Sequence, residues 1–248
     1  FLHILPFVEQ GPLYDSINKV NGDYDAQRPN GAGTKMIRAN IVPAYICPSD
    51  NHDGLNGNDI TGHAYTNYGA NGGPQSQGGT GAPNCPCDMS AMNAFRPTTV
   101  LGTAQPWGPF HREGNREFLT RMRDITDGTT NTLFVGEVRP ACTGHTSRGW
   151  ARPNAGQGLF RTTIPLNFDN CRPASQANTL FPGGGGYSHP TCMADCNWRT
   201  EFGFHSLHPG GCQFVIGDAS VRFLSETIDM ANYNLLGCHK DGQPVTLP

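Results

Sequence analysis

Glycine and proline interrupt this sequence so often that long helices must be scarce. The 248 residues include 32 Gly and 20 Pro, so roughly one position in five carries a residue that breaks regular secondary structure. Charged residues amount to 15% of the chain, whereas about 25% is typical of globular domains. A chain of this length can still bury a sizeable core. We therefore expect one β-rich α+β domain over residues 1–248, with loop-rich insertions near 50–120 and 140–200.

The clearest strand signals lie in the second half of the chain. Residues 132–138 are rich in apolar and β-branched side chains and follow a turn, which predicts a strand. Residues 212–216 and 220–224 are two further apolar runs, and the short connection between them predicts an antiparallel hairpin. This hairpin is the most strongly indicated element of the sequence.

Short helices are predicted near both ends of the chain. The apolar spacing of residues 2–17 predicts two amphipathic helical turns, broken at Gly11 and Pro12. Near the C-terminus, a helix is expected to begin after a cap at Thr227 and to stop at Gly237.

Nine cysteines are many for a cytosolic chain, and they lie in loop-like sequence. This distribution favours disulfide bonds formed in an oxidising compartment. The odd number leaves one cysteine unpaired or paired between chains, and the spacing does not determine the connectivity. The disulfide candidates are Cys47, Cys85, Cys87, Cys142, Cys171, Cys192, Cys196, Cys212 and Cys238. We therefore expect an extracellular or cell-surface protein whose loops are cross-linked by disulfide bonds.

The segment that leads through the hairpin contains a histidine and an aspartate separated by nine residues. His208 and Asp218 would need a third partner and a pocket to act as an acid/base pair, and the sequence indicates neither. Gly217 suits a primed hairpin turn with a positive φ at that glycine, and Asp218 is then expected to accept backbone N–H groups. His208 precedes the turn glycines Gly210 and Gly211. Its imidazole is expected to bond a turn carbonyl or the Asp218 carboxylate, so we interpret these residues as structural.

A second polar turn precedes the strand at 132–138. Asp127 and Asn131 flank Gly128 and Thr130 in this turn. Asp and Asn side chains commonly bond the backbone of a turn. We therefore expect Asp127, Gly128 and Asn131 to shape it.

Metal sites are only weakly indicated. A zinc-finger order of ligands occurs in Cys192, Cys196, His205 and His208. Only eight residues separate the second cysteine from the first histidine, where a finger has about twelve, so disulfide formation is favoured there. The stretch that starts at Ser49 lacks the glutamate that closes an EF-hand loop. The candidates for a looser calcium loop are Asp50, Asp53 and Asp59, although a solvated turn is the commoner role of such a stretch.

Known catalytic motifs are missing from the sequence. It has no nucleophile elbow, no HExxH, no Walker loop and no Rossmann fingerprint. The net charge of −3 and the lack of a Lys/Arg run argue against nucleic-acid binding. No apolar run reaches the length of a membrane span. We expect a protein that is not an enzyme and needs no cofactor, with calcium as the one ion to consider.

Four segments of the chain stand out together. In chain order they are ILPFVEQGPLYDSIN, YICPSD, ITDGTTNTLFVGE and HPGGCQFVIGDASVRFLSETID. In this order they resemble a large family of secreted bacterial pseudopilin-like proteins that is abundant in planctomycetes. That family carries a prepilin-type N-terminal cleavage/methylation segment and ends in a motif of His, nine residues and Asp-Gly. The four segments are similar to its Leu-Pro-Tyr-Leu-Glu-Gln, Cys-Pro-Ser, Asp-Gly-x-Ser-Asn-Thr…Gly-Glu and closing motifs.

This chain departs from the family's pattern in three ways. Ala219 stands where the closing motif has Gly, and Gly217 lies one residue before Asp218, which predicts a changed turn type in a retained hairpin. Thr130 replaces the usual Ser. The hydrophobic prepilin helix is expected to precede Phe1.

The resemblance implies a pilin-like head in which a helix packs on an antiparallel β-sheet. It further implies export and processing by a prepilin peptidase, with membrane contact only through the helix that precedes Phe1. The function expected is a structural subunit of an extracellular or cell-surface filament or pseudopilus-like assembly. Its partners would be further copies of the chain and a secretion or pilus-type assembly machinery.

Two other functions stay open at this point. A secreted carbohydrate- or calcium-binding module would remain monomeric and gain thermal stability from its ligand. A secreted hydrolase would present a concave pocket that holds two acids with shifted pKa values, and such a pair leaves no local signature in a sequence.

Overall fold

Seven short strands and two short α-helices lie within the residues that the structure describes. The computed structural model describes residues 1–20, 24–74, 108–111, 120–140, 149–151, 158–168, 202–245 and 247. The strands are β1 (Leu55–Asn56), β2 (His63–Ala64), β3 (Tyr68–Asn71), β4 (Leu133–Glu137), β5 (Leu159–Phe160), β6 (Gly211–Ile216) and β7 (Val221–Ser225). The α-helices are α1 (Gly11–Asp15) and α2 (Met230–Gly237). Short 3₁₀ helices cover Leu2–Val8, Pro29–Gly31, Ile37–Ala39, Pro43–Tyr45, Met122–Asp124 and Thr129–Asn131.

A five-stranded sheet organises the described residues, in the order β5-β3-β4-β6-β7. The β3–β5 pair is parallel, and the other three neighbouring pairs are antiparallel. Strands β1 and β2 form a separate antiparallel pair. The α+β class with short helices and a mainly antiparallel sheet is therefore confirmed.

One face of the sheet is packed against α2. Cys212, Phe214 and Ile216 alternate along β6 and are buried, as the two-residue period of a strand requires. They pack with Leu133 of β4 and Tyr233 of α2 in one continuous hydrophobic core. This core fixes the sheet and thereby the loops that end at its edges.

A second core is built by the N-terminal third of the chain together with Trp150 and Ala151. Leu5, Tyr45 and Trp150 are buried together, and the Tyr45 and Trp150 rings meet edge to face at 6.0 Å. Both rings also bond the backbone, Tyr45 Oη to the Phe1 carbonyl at 2.7 Å and Trp150 Nε1 to the Asn40 carbonyl at 2.8 Å. Buried aromatic residues with a polar atom normally find such a partner.

The predicted strands are confirmed and the C-terminal helix is shifted. The hairpin and the strand at 132–138 appear as β6–β7 and β4. The helix ends at Gly237 as expected, but Asp229 rather than Thr227 caps it, because the Asp229 carboxylate accepts the backbone N–H of Asn232 at 3.0 Å. Thr227 instead bonds Ser225 in the turn that leaves β7.

The turn of the hairpin differs from the prediction. The positive φ, 69°, lies at Ala219, whereas Gly217 does not adopt one. Gly217 is required for a different reason, since a Cβ there would lie 2.7 Å from Cε1 of Phe134. The expectation that Gly217 takes over the left-handed position was wrong, and an alanine occupies the position where the family's closing motif has glycine.

The expected disulfides are not formed by the cysteines that the structure describes. Cys47, Cys212 and Cys238 are all buried and free, so their assignment as disulfide partners was wrong. Each is enclosed by the core or by polar loops, where a free cysteine behaves as a small apolar side chain. The other six candidates lie outside the described residues.

Candidate functional site

Three loops meet at the end of β4, and their docking depends on backbone hydrogen bonds. The pairing of β3 with β4 places Tyr68 opposite Glu137, and Val138 N–H donates to the Asn67 carbonyl at 2.8 Å. On the other side, His205 N–H donates to the Glu137 carbonyl at 2.9 Å. These bonds draw the loop after Tyr45, the end of β4 and the loop before β6 into one place.

Cys47, Glu137 and His208 project from these loops towards one another. The Nε2 atom of His208 lies 3.2 Å from Oε1 of Glu137, and the Cys47 Sγ atom lies 4.0 Å from the same oxygen. One ligand atom of each residue lies within 4.8 Å of the other two. Cys47 and Glu137 are buried, whereas the His208 side chain is 36% exposed, so solvent reaches the cluster from the histidine side.

The second carboxylate oxygen of Glu137 is fixed by the sheet. It accepts the backbone N–H of Gln213 in β6 at 2.7 Å. A buried carboxylate is costly unless its oxygens are paired. Oε2 is therefore occupied by its hydrogen bond to β6, and Oε1 is the oxygen that faces Cys47 and His208.

A network centred on Asn67 supports the Cys47 side of the cluster. Asn67 is almost fully buried, and its Oδ1 accepts the Cys47 backbone N–H at 3.0 Å. Its Nδ2 donates to Asp50 Oδ2 at 2.6 Å and to the Val138 carbonyl at 3.2 Å. The single side chain of Asn67 thus bonds both the Cys47 loop and the end of β4, and it holds the two at a fixed separation.

His52 completes this network in its neutral form. Its Nδ1 accepts the backbone N–H of Gly54 at 2.9 Å, so Nδ1 carries no proton, and Nε2 can donate to Asn67 Oδ1 at 3.0 Å. The separation of 3.7 Å between His52 Nε2 and Asp50 Oδ2 is therefore not an ion pair. Asp50 instead has Arg139 as its charged neighbour, with Nε at 3.7 Å from Oδ1.

The space beside this cluster is small. A cavity of about 10 Å³ is lined by Cys47, Asp50, Asn67, Glu137, Val138, Arg139, His205, Ser206 and Leu207. That volume corresponds to a single water molecule or ion. A larger surface hollow of about 580 Å³ lies elsewhere, near Asp15 and Arg28, and Asp15 is the one acidic side chain of its lining. The space that the described residues leave beside the cluster is therefore the size of a small ion.

His208 and Asp218 lie at opposite ends of β6. Six residues of strand separate the loop of His208 from the turn of Asp218, which corresponds to about 20 Å. His208 faces Glu137, and Asp218 accepts the backbone N–H of Ser220 at 2.9 Å. The expected turn role of Asp218 is thus observed, while the suggested bond between His208 and Asp218 is not formed.

The turn glycines before β6 have clear structural reasons. Gly210 has a φ of 81°, which a residue with a side chain rarely adopts. A Cβ at Gly211 would lie 2.0 Å from the Leu224 carbonyl oxygen. Both positions therefore need glycine for the chain to enter the hairpin.

Asp127 acts over a longer distance than expected. Its carboxylate accepts the backbone N–H groups of Asp241 at 2.6 Å and Gly242 at 2.9 Å, so it anchors the segment after α2 rather than its own turn. Within the turn, Gly128 has a φ of 96°, and the Asn131 backbone N–H donates to the Gly128 carbonyl at 3.1 Å.

The three calcium candidates are not brought together. Asp50 is committed to Asn67 and Arg139, and Asp53 Oδ1 accepts the Leu55 backbone N–H at 3.2 Å. Asp59 is exposed. All three aspartates lie within the described residues. The group of side chains there whose ligand atoms lie close enough together to hold a metal ion consists of other residues.

Sequence reasoning placed Cys47 among the disulfide candidates and gave Glu137 no individual role. The available signal was the resemblance itself, since Cys47 belongs to the Cys-Pro-Ser segment, Glu137 to the Gly-Glu segment and His208 to the closing motif. Those three segments are distant in the sequence, and the structure brings them together.

Comparison with known proteins assigns the chain to a family. The model of the family SBP_bac_10, described as a protein of unknown function (DUF1559), matches residues 1–231, and the chain belongs to it. Neither a curated protein nor a solved structure matches the chain. Among the described residues, no helix combines the length and the apolar character needed to cross a membrane.

Proposed function

We propose that this member of the DUF1559 family is a structural subunit of an extracellular or cell-surface filament or pseudopilus-like assembly, without catalysis, built from copies of itself. The observation that supports this proposal most is the outer face of the β6–β7 hairpin. This face is apolar, exposed and next to the free edge of the sheet.

Cross-strand pairing concentrates apolar side chains on that face. Val215 lies directly opposite Val221, and Val135 of β4 lies opposite Val215 on its other side. Val221 is 61% exposed and Phe223 is 44% exposed. We call Val215, Val221 and Phe223 the hairpin face.

The strand that carries two of these residues is an edge strand. Among the described residues, β7 pairs with β6 on one side and is the last strand of the five-stranded sheet on the other. Soluble monomers normally protect such an edge with charge, proline or a covering element, because its free N–H and C=O groups can pair with another chain. β7 carries one exposed charge, Arg222, which lies on the opposite face of the strand from Val221 and Phe223. The exposed apolar hairpin face beside this edge is suited to contact between subunits.

The chemistry elsewhere in the described residues agrees with a structural role. The polar cluster at the end of β4 has room only for an ion-sized occupant, so it does not supply a substrate pocket. Export, processing by a prepilin peptidase and contact with a secretion or pilus-type machinery follow from the resemblance to pseudopilin-like proteins and belong to this proposal.

A matched pair of substitutions tests the hairpin face. Val221→Lys places a charge at the centre of the face, and Val20→Lys places the same charge at a valine that is 98% exposed elsewhere. Sedimentation velocity of the chain over a range of concentrations is expected to show large species for the wild type and for Val20→Lys, and monomer for Val221→Lys.

Thermal unfolding of dilute samples provides the control. Val221 is exposed, so its substitution should leave the melting temperature of the monomer nearly unchanged. A wild-type chain that stays monomeric at every concentration, or a Val221→Lys variant that assembles like the wild type, would contradict the proposal.

A further inference from the structure

We propose that Cys47, Glu137 and His208 form a zinc site in which a solvent molecule takes the fourth position. This site goes beyond the structural-subunit proposal and does not depend on it. It differs from the zinc-finger order and from the calcium loop considered in the sequence.

The three side chains present the donor types that zinc prefers. Zn²⁺ is bound in proteins by thiolate sulfur, imidazole nitrogen and carboxylate oxygen, and sites with three protein ligands keep one position open. The thiolate also disfavours calcium and magnesium, which take oxygen ligands.

The separations between the donor atoms fit a tetrahedral ion. Bond lengths of about 2.3 Å to sulfur and about 2.0–2.2 Å to nitrogen and oxygen give tetrahedral edges of about 3.3–3.6 Å. The observed edges are 3.2 Å from His208 Nε2 to Glu137 Oε1 and 4.0 Å from Cys47 Sγ to the same oxygen. Each of these two edges differs from the ideal by about 0.4 Å or less. The third pair, Cys47 Sγ and the His208 ring nitrogen, lies within 4.8 Å, and rotation of the partly exposed His208 side chain can adjust it.

Each of the three proposed ligands is oriented by a hydrogen bond outside the site. Glu137 Oε2 is held by the Gln213 backbone N–H, the Cys47 backbone by Asn67, and the His208 backbone N–H by Ser206 Oγ at 3.0 Å. A bond to the ligating group, such as the one to Glu137 Oε2, commonly affects metal affinity 10–100-fold. The two backbone bonds fix the loop positions of Cys47 and His208.

Charge balance also favours a divalent ion. The Cys47 thiol loses its proton to solvent on metal binding, so one thiolate, one carboxylate and Zn²⁺ sum to zero. Asp50 is already balanced by Arg139, and His52 is neutral by its hydrogen bonds. The partly exposed His208 leaves a path from solvent for the ion and a place for the fourth ligand.

The experiment measures metal binding to the full chain after it has been reduced and stripped with a chelator. Zn²⁺ is titrated calorimetrically, and Co²⁺ is used as a spectroscopic substitute whose near-ultraviolet charge-transfer band reports a thiolate ligand. The variants are Cys47→Ser, Glu137→Gln and His208→Ala. The matched controls are Cys238→Ala, another buried cysteine, and His3→Ala, an exposed histidine.

The wild type and both controls are expected to bind Zn²⁺, and His208→Ala should weaken this binding at least about 10-fold. Cys47→Ser should lose the charge-transfer band that this site contributes with Co²⁺. Zn²⁺ should also raise the melting temperature of the wild type more than that of His208→Ala, since a ligand that binds the folded state stabilises it.

Two results would overturn the inference. One is a wild-type chain that binds no Zn²⁺. The other is binding that is equal in the wild type, Cys47→Ser and His208→Ala, which would assign the metal to other cysteines. If Cys47→Ser does not fold, His208→Ala still decides the question, because His208 is partly exposed and its removal opens no core cavity.

Discussion

The left-handed conformation of Ala219 leads to a prediction whose magnitude follows from the structure. A non-glycine residue in this region costs about 1–2 kcal/mol, and Ala219 adopts a φ of 69° at the tip of the hairpin. Glycine removes that cost but makes the unfolded chain more flexible, which costs about 0.4–1 kcal/mol. Ala219→Gly should therefore increase the free energy of unfolding by about 0.5–1 kcal/mol.

Equilibrium unfolding in urea measures this change directly. With a slope of about 2–3 kcal/mol per molar, the midpoint should move upward by about 0.2–0.5 M, and the slope should stay constant. The matched control is Gly217→Ala in the same turn. It should destabilise the protein by about 1–3 kcal/mol, because its new Cβ would lie 2.7 Å from Phe134 Cε1 and 2.9 Å from the Thr129 carbonyl oxygen.

The opposite response of Ala219→Gly would refute this reasoning. If this variant lowers the midpoint, Ala219 does not carry the left-handed strain, and the turn with a left-handed Gly217 that the sequence suggested is favoured. Gly217→Ala destabilises either turn, through its contact with Phe134 or through a positive φ, so an unchanged midpoint for this variant would contradict the close contact. Ala219→Gly thus distinguishes the observed turn from the one predicted by the position of the glycine.

Three further predictions concern polar groups that are buried or half-buried. Asp127→Ala should lower the free energy of unfolding by about 1–3 kcal/mol in urea titrations, because two backbone N–H groups after α2 lose their acceptor; a change below 0.5 kcal/mol would contradict the anchoring role. Tyr233→Phe should be neutral or stabilising by up to about 1 kcal/mol, since the buried hydroxyl has no partner in the described part of the chain, and a clear loss of stability would reveal one. Burial raises the pKa of the Cys212 and Cys238 thiols above the usual 9.0. The stability that the two protonated thiols contribute is therefore fully present below pH 9.0 and falls as the pH rises above it, because the thiols of the unfolded chain ionise first. Urea midpoints measured at rising pH should decline less in Cys238→Ala than in the wild type.

The elements that the sequence predicts well are those with a purely local signal. The β6–β7 hairpin follows from two apolar runs with a short connection, and its register is fixed once Cys212, Phe214 and Ile216 are assigned to the core face. The end of α2 at Gly237 is equally local. The start of α2 does not follow from a local signal, because both Thr227 and Asp229 are acceptable caps. In the folded chain Asp229 is the cap.

The polar cluster could not be derived from spacing. Cys47 and Glu137 are 90 residues apart, and what brings them together is the pairing of β3 with β4 and the buried Asn67 between their loops. The number of cysteines in the sequence likewise gives no information on their state, since it does not reveal that Cys212 and Cys238 are fully buried and unpaired. The same holds for Asp127, whose partners lie 114 and 115 residues away.

Hydrogen exchange at the edge strand is the most direct measurement of the proposed assembly. Amides of β7 that face away from β6 have no partner in the sheet order of the described residues, so they should exchange rapidly in the dilute monomer. In concentrated, assembled material, residues 221–225 should gain protection that Val221→Lys abolishes. Protection gained elsewhere while residues 221–225 exchange as in the monomer would contradict assembly through the hairpin face.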